Sequence, residues 1–306
     1  MINKNPIAIA LITDDNYVIP TVVTIKSIIQ NKNEDSFYCI YVFGDNLAEE
    51  SKEKIKSLEI IGSEIHIIDV ENKYKEFYNK SLYVSNAAFI RFDVPDFLAQ
   101  YKKILYLDTD MIVLKDLSDL YNTELYDKYA AVVLDVGDIF YRMAEERNLS
   151  HYFNAGMILF NAEKYREEGL SKKLCDLYKN NYENMPLMDQ DALNIVFNDN
   201  IIKLLPKYNF QQSNSDYWKS EVLKYYNVEP KDLKKDIISI IHYTRMKPWV
   251  YKCTYLRNIW DSYYRQCYTS PLNRKYGLFL RLYLVLRGHF KLKRVNSFLR
   301  KVCNKK

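Results

Sequence analysis

Five short apolar runs recur through the first half of the chain: Ile7 to Ile12, Phe37 to Phe43, Glu64 to Asp69, Lys103 to Leu107 and Ala130 to Leu134. Each has the length of a buried strand, and segments of helical period fall between the early ones. Ile19 to Asn31 repeats Val22, Ile25, Ile28 and Ile29, and Glu49 to Leu58 sets Ile55 and Leu58 among charges. Such alternation predicts an α/β fold, a largely parallel sheet covered on both faces. Beyond Asn154 the order becomes mixed: strand-like Gly156 to Phe160, a helix from Glu163 to about Asn181, another from Asp189 to Phe197, then strands at Ile201 to Leu204 and Ile237 to His242. This reads as an α+β extension of the same unit, giving a mixed central sheet with no clean boundary before about Tyr263. Residues 1–262 are therefore expected to form one domain and 263–306 an appendage.

Charge divides the chain in the same place. From Ser262 to Lys306 there are 12 Lys and Arg residues and no acid, leaving 32 basic against 39 acidic residues in the body. Within the appendage, Tyr276 to Phe290 is apolar but interrupted by Arg281 and Arg287, too short to span a bilayer. Apolar residues embedded in cations match what an anionic cytoplasmic leaflet attracts, so the tail is expected to dock on a membrane surface rather than on nucleic acid. Cys39, Cys175, Cys253, Cys267 and Cys303 are scattered, with no zinc-like spacing, and read as reduced thiols. MINKNP runs straight into the Ile7 segment without a signal-peptide core. The expected location is the cytoplasm, peripheral on the inner face of the cell membrane.

The strongest chemical signal is ILYLDTDMIVL, in which Asp108 and Asp110 interrupt an apolar stretch. Buried carboxylates need a cation, a cluster of donors or solvent. Hard oxygen ligands at this spacing suit Mn²⁺ or Mg²⁺ shared with a phosphate-bearing substrate. A solvated Asp-Thr-Asp turn is the plainer alternative. TDDNY follows the first strand, where nucleotides bind in open α/β sheets. Asp14 and Asn16 offer donors and acceptors for a base and Tyr17 a stacking face, although the same residues could simply cap a helix. No GxGxxG is present, so the dinucleotide fingerprint is absent. YFNAGM sets Asn154 and two small residues before a strand, and MDQD sets Asp189, Gln190 and Asp191 at a helix start. IIHYTRMKPW ends a strand on His242 and follows it with Arg245 and Lys247, a pattern suited to metal plus phosphate.

These segments, in this order, resemble glycosyltransferase family 8, retaining enzymes of the GT-A (Rossmann-like) fold that include bacterial lipopolysaccharide galactosyl- and glucosyltransferases. The resemblance covers about residues 7 to 260 and is specific because five motifs occur in sequence. It implies that Asp14, Asn16 and Tyr17 bind uridine, that Asp108 and Asp110 form the metal-binding DxD with His242 as third ligand, and that Lys247 contacts the diphosphate. Arg91, in SNAAFIRF, matches an arginine near the donor sugar and diphosphate. Asn154, Asp189 and Gln190 match positions lining the sugar and reacting centre, and Asp135 lies where members often have an acid facing the sugars. One departure stands out. The family's HYxGxxKPW is here HYTRMKPW, with Arg245 at the glycine position and one residue fewer before the lysine.

The resemblance implies transfer of glucose or galactose from a UDP-sugar to a saccharide or lipid-linked glycan acceptor at the cell surface. A haloacid-dehalogenase-type phosphohydrolase also carries a DxD after an apolar strand. Its motif belongs near the start of the domain and continues with Thr or Val where this chain has Ile112, and it leaves TDDNY and MDQD unexplained. A catalytically silent nucleotide-sugar- or glycan-binding protein on the same fold is the alternative from a different class.

Overall fold

A computed structural model describes residues 6–71, 73–78, 85–135, 138–211, 238–244 and 246–275, with 138–141 described by backbone alone. In chain order the elements are β1 (Ile7–Thr13), α1 (Val18–Gln30), β2 (Tyr38–Gly44), α2 (Glu49–Lys56), β3 (Ser63–Asp69), α3 (Val94–Phe97), β4 (Lys103–Leu107), β5 (Met111–Val113), α4 (Ser118–Tyr121) and β6 (Ala130–Leu134). Then come α5 (Asp138–Glu146), β7 (Phe153–Asn161), α6 (Ala162–Glu167), α7 (Leu170–Asn181), α8 (Asp189–Phe197), β8 (Ile201–Lys203), β9 (Phe210–Gln211), β10 (Ile240–His242) and α9 (Arg257–Cys267).

The main sheet has the order β3-β2-β1-β4-β7-β6-β8, and β5, β10 and β9 form a second, smaller sheet. β1 is parallel to β2 and β4, and β2 to β3. All seven residues of β1 are buried because helices cover both faces. Its alternate residues divide between two cores: Ala8, Ala10 and Ile12 on one face, Ile7, Ile9 and Leu11 on the other. Each fully buried Ile or Leu stabilises the fold by about 1.5–3 kcal/mol. The small Ala8 and Ala10 leave room for Phe89 and Phe92 of the 3₁₀ segment Asn86–Phe92, which packs on that face and carries Arg91.

The sheet is mixed, as expected: β1, β2, β3, β4 and β6 share one direction, and β7 runs antiparallel to both β4 and β6. That reversal brings Phe153 and Asn154, which start β7, to the edge where β4 and β6 end. The apolar run after Asp110, not among the expected strands, forms β5 and pairs with β10 in the second sheet. The helix expected from Glu163 to about Asn181 is two helices, α6 and α7, broken at Gly169 with φ 61°. A left-handed residue ends a helix, and glycine takes that conformation without a Cβ clash.

The expected division after residue 262 falls inside α9, where Tyr263 and Tyr264 share a core with Trp260, Ile112 and Ile241. The remainder of the appendage, 276–306, and Arg245 lie outside the described residues. Cys39, Cys175, Cys253 and Cys267 are free thiols. Among the described residues no helix is long and apolar enough to cross a membrane.

Candidate active site

After β1 the chain adds β2 and β3 on one side, then crosses to place β4 on the other. The gap between the carboxyl ends of β1 and β4 is therefore a topological switch point, the crevice where open α/β sheets bind ligands. Asp14 follows β1 and Asp108 follows β4, so the two acidic motifs meet that crevice from adjacent strands.

The Asp-Thr-Asp turn is held rigidly from both sides. Asp108 N–H donates to Gly156 O at 2.7 Å, and Tyr243 N–H donates to Asp110 O at 3.1 Å. From below, Thr24 Oγ1 donates to Thr109 O and Met111 O, both at 2.8 Å, while Ser27 Oγ accepts from Val113 N–H and Asn31 Nδ2 donates to Val113 O. Thr24 and Ser27 of α1 and Asn31, which caps its end, satisfy backbone groups that leave the main sheet.

Asp108, Asp110 and His242 bring one ligand atom each within 4.8 Å of one another. His242 Nε2 lies 3.1 Å from Asp110 Oδ1 and 3.8 Å from Asp108 Oδ2. Asp110 Oδ1 is buried and has no hydrogen-bond partner that meets the geometry of one, an environment that suits a cation ligand. Its other oxygen pairs with Lys247 Nζ, which also donates to Tyr243 O at 2.7 Å. Burial opposes the charge on Asp110, but Lys247 and His242 outweigh it and hold the carboxyl below its ordinary range. Among the described residues, the carboxylates of Asp108, Asp110, Asp135 and Asp189 gather around two permanent cations, Arg91 and Lys247. Two carboxylates, an imidazole and surplus negative charge fit a divalent ion such as Mn²⁺.

Arg91 ties this cluster to the next. It is 6% exposed, lies 3.1 Å from Asp108 Oδ1 through Nη2 and 3.0 Å from Asp189 Oδ2 through Nε, and donates to Ala155 O at 2.8 Å. Its guanidinium stacks 4.7 Å above the Tyr106 ring, whose hydroxyl donates to Asp108 Oδ1 at 2.7 Å. Burial pushes the Asp189 carboxyl up to about 6, with Asp108 adding to the rise and Arg91 opposing it. Asp189 opens α8 after Met188, whose φ of 53° and ψ of −122° lie outside the relaxed regions for a side-chain-bearing residue. Strain of that kind costs about 1–3 kcal/mol and gathers at functional sites.

Beside Asp189, Gln190 Nε2 donates to Asp135 Oδ2 at 2.9 Å, and its Oε1 accepts from Ala155 N–H at 3.0 Å and Asn154 Nδ2 at 3.3 Å. Asp191 has a different task. It accepts from Tyr152 Oη and Leu187 N–H and pairs with Arg147, holding the start of α8.

Of the residues singled out from sequence, Asp108, Asp110, His242, Lys247, Arg91, Asp189, Gln190, Asn154 and Asp135 thus form one connected network. Tyr17 packs edge-on against Trp249, ring centroids 5.8 Å apart and nearly perpendicular. Burial and the fields of Asp110, Asp108 and Asp14 push its hydroxyl above the ordinary range. Asp14 sits at the crevice mouth and caps the following turn, accepting from Asn16 N–H at 2.9 Å. Asn16 is exposed.

Sequence reasoning missed Asn209, which is fully buried between His242 and Asn154. It also missed the Thr24, Ser27 and Asn31 clamp, although polar residues three and four apart on an apolar helix were a usable signal. Gly156, one of the two small residues after Asn154, has a role the sequence does not show: a Cβ there would stand 2.3 Å from His242 Cε1 and 2.8 Å from Asp108 Oδ2.

The chain is similar to known proteins over most of its length. A family model described as glycosyl transferase family 8 matches residues 8–253. Glycosyltransferase GlyB of Streptococcus pneumoniae serotype 4 is 33% identical over 278 residues, 89% of this chain and 65% of its own length. The lipopolysaccharide 1,2-glucosyltransferase of Escherichia coli is 28% identical over 272 residues, 81% of this chain and 76% of its own length. This chain spans less than two thirds of the length of the pneumococcal relatives GlyF, GlyB and GlyE. Among solved structures, the galactosyltransferase LgtC in complex with donor and acceptor sugar analogues superposes with a TM-score of 0.76 at 23% identity, covering 87% of this chain and 98% of LgtC. Pneumococcal GlyE gives a TM-score of 0.63 at 27% identity, over 86% of this chain and 60% of GlyE. The mixed sheet is the GT-A fold, and the chain belongs to glycosyl transferase family 8.

Proposed function

We propose that this chain transfers glucose or galactose, with retention at the anomeric carbon, from a UDP-sugar to a saccharide acceptor of a cell-surface glycan, using Mn²⁺ or Mg²⁺. The observation that carries the reading is the junction at Arg91, where the Asp108–Asp110–His242 cage meets the pocket of Asn154, Gln190, Asp135 and Asp189. A divalent ion in that cage would neutralise the diphosphate as its bond to the sugar breaks. Lys247, which pairs with Asp110 beside the cage, is proposed as one contact to the diphosphate and Arg245, outside the described residues, as a second. Asp14, Asn16 and Tyr17 take the uridine at the β1 edge of the crevice. Positive charge developing on the sugar ring is met by Asp189 and by the amide oxygens beside it. Asp189 is pinned by Arg91 at 3.0 Å and buried, which favours electrostatic support over nucleophilic attack. The departing phosphate then takes the acceptor hydroxyl's proton on the same face of the ring. Support for the substrate class comes from relatives named as lipopolysaccharide glucosyltransferase and galactosyltransferase.

A panel of UDP-sugars incubated with and without Mn²⁺ tests the reading. Metal-dependent release of UDP from UDP-glucose or UDP-galactose is expected; UDP binding without turnover of any sugar would instead make the chain a binding protein. Within the same assay, Asp14→Ala should weaken UDP binding about tenfold while changing pyrophosphate binding by less than about twofold, as loss of one hydrogen bond to a charged group implies. Equal losses for both ligands in calorimetric titration would move Asp14 away from the base.

The basic appendage, residues 263–306, is proposed to hold the protein against the cytoplasmic face of an anionic membrane, where a lipid-linked acceptor would be presented. Each Lys or Arg near such a surface contributes about 1 kcal/mol. The full chain should co-sediment with anionic vesicles and not with neutral ones, and a chain ending at residue 275 should lose that binding while still hydrolysing UDP-sugar. Undiminished sedimentation of the shortened chain would rule the tail out as the anchor.

A further inference from the structure

A row of three side-chain amides, the half-buried Gln190 and the buried Asn154 and Asn209, leads from the sugar pocket to His242, and two backbone N–H groups reveal which way each amide points. A backbone N–H only donates. Ala155 N–H donates to Gln190 Oε1 at 3.0 Å and Gly156 N–H to Asn154 Oδ1 at 3.1 Å, so both contacted atoms are oxygens. Asn209, lying 2.9 Å from that same Asn154 Oδ1, must present its nitrogen there. Its oxygen is therefore the atom 2.9 Å from His242 Nδ1, and that ring nitrogen must carry a hydrogen. In a neutral imidazole protonated at Nδ1 the lone pair is on Nε2, the atom that faces Asp110 Oδ1 and Asp108 Oδ2.

We propose that Asn209 is a positioning residue that fixes His242 as its Nδ1–H tautomer and aims the Nε2 lone pair at the divalent ion held by Asp108 and Asp110. The inference rests on the reading of that cage as a metal site. Asn209 touches neither metal nor substrate. It follows the 3₁₀ turn Pro206–Tyr208 and is wholly buried, with both ends of its amide used. Its second bond, to Asn154, places the imidazole and the sugar-pocket amides in one hydrogen-bonded frame. Without the acceptor at Nδ1, His242 is free to put its hydrogen on Nε2 and donate it to Asp110, closing the position the ion needs.

The test uses the full chain and Mn²⁺ alone, followed by the electron paramagnetic resonance signal of the free ion. Asn209→Leu, which fills the same space, should weaken Mn²⁺ by roughly 10- to 100-fold, the usual effect of losing a partner of a metal-bound histidine. Asn209→Asp, which keeps an acceptor for Nδ1, should recover most of that loss. Independently, ¹⁵N spectra of the Mg²⁺-loaded parent should show Nδ1 of His242 carrying the hydrogen and Nε2 without one, assigned by the disappearance of both signals in His242→Gln. Parent-like Mn²⁺ binding by Asn209→Leu, or a hydrogen on Nε2 in the parent, overturns the inference. If the leucine variant does not fold, the tautomer in the parent decides alone. A parent chain that binds no Mn²⁺ removes the metal reading itself and the inference with it.

Discussion

Asp110→Asn is expected to lower metal-dependent turnover by roughly 10³-fold, since about 4 kcal/mol of transition-state stabilisation corresponds to that factor and a bound cation supplies several. The substitution keeps the shape of the side chain and the bond from Tyr243 N–H to the residue 110 carbonyl, which joins the turn to the second sheet. What changes is charge. Asp110 Oδ1 stops being an anionic ligand and Lys247 loses its ion-pair partner, while the lysine can still reach Tyr243 O and solvent. Mn²⁺ binding, measured directly, should fall with turnover, and circular dichroism should be unchanged. Asp108→Asn should act in the same direction and also release one of the two carboxylates that hold Arg91. Turnover in Asp110→Asn with the parent's Mn²⁺ dependence would remove residue 110 from the metal site.

The residues whose chemistry conflicts with their surroundings were the ones that could be found without a structure. Asp108 and Asp110 stand out because carboxylates inside an apolar strand demand an explanation, and His242 because it ends one. β1, β2 and β4 were equally visible, since strands buried on both faces read as unbroken apolar runs. Strand direction was not. Nothing in FNAGMILFN says that β7 runs against β4, yet that reversal is what carries Asn154 and Gly156 to the metal cage. Asn209 stayed hidden for a related reason. A turn asparagine has many local uses, and its partners His242 and Asn154 are 33 and 55 residues away. Gly169 was legible and went unread: a glycine after Glu167-Glu168 is a helix-ending signal, and it splits α6 from α7. Arg91 was placed by resemblance alone; its geometry adds that it joins the two halves of the site, pairing with Asp108 on one side and Asp189 on the other.

Gly156→Ala is expected to weaken Mn²⁺ by about 100-fold or more, on the scale set by a misplacement of about 1 Å in a positioned site. The added methyl would lie 2.3 Å from His242 Cε1, 2.9 Å from His242 Nδ1 and 2.8 Å from Asp108 Oδ2, all far inside van der Waals contact. None of these neighbours can retreat easily. The glycine's own carbonyl accepts from Asp108 N–H at 2.7 Å and its N–H donates to Asn154 Oδ1, so the strand is fixed on both sides. His242 is pinned by Asn209 and by the pairing of β10 with β5. Overpacking of this kind also costs about 1–3 kcal/mol of stability, so a loss of Mn²⁺ affinity must be separated from general loosening. Gly169→Ala provides the comparison. It introduces a side chain at φ 61° with nothing within 4 Å, destabilising the fold by about 1 kcal/mol through the backbone and leaving the cage untouched. Thermal melts should show both variants weakened, while Mn²⁺ titration should separate them, normal for Gly169→Ala and severely reduced for Gly156→Ala. Parent-like Mn²⁺ binding by folded Gly156→Ala would mean that the cage has slack the structure does not contain, and that close backbone approach is not why residue 156 is glycine.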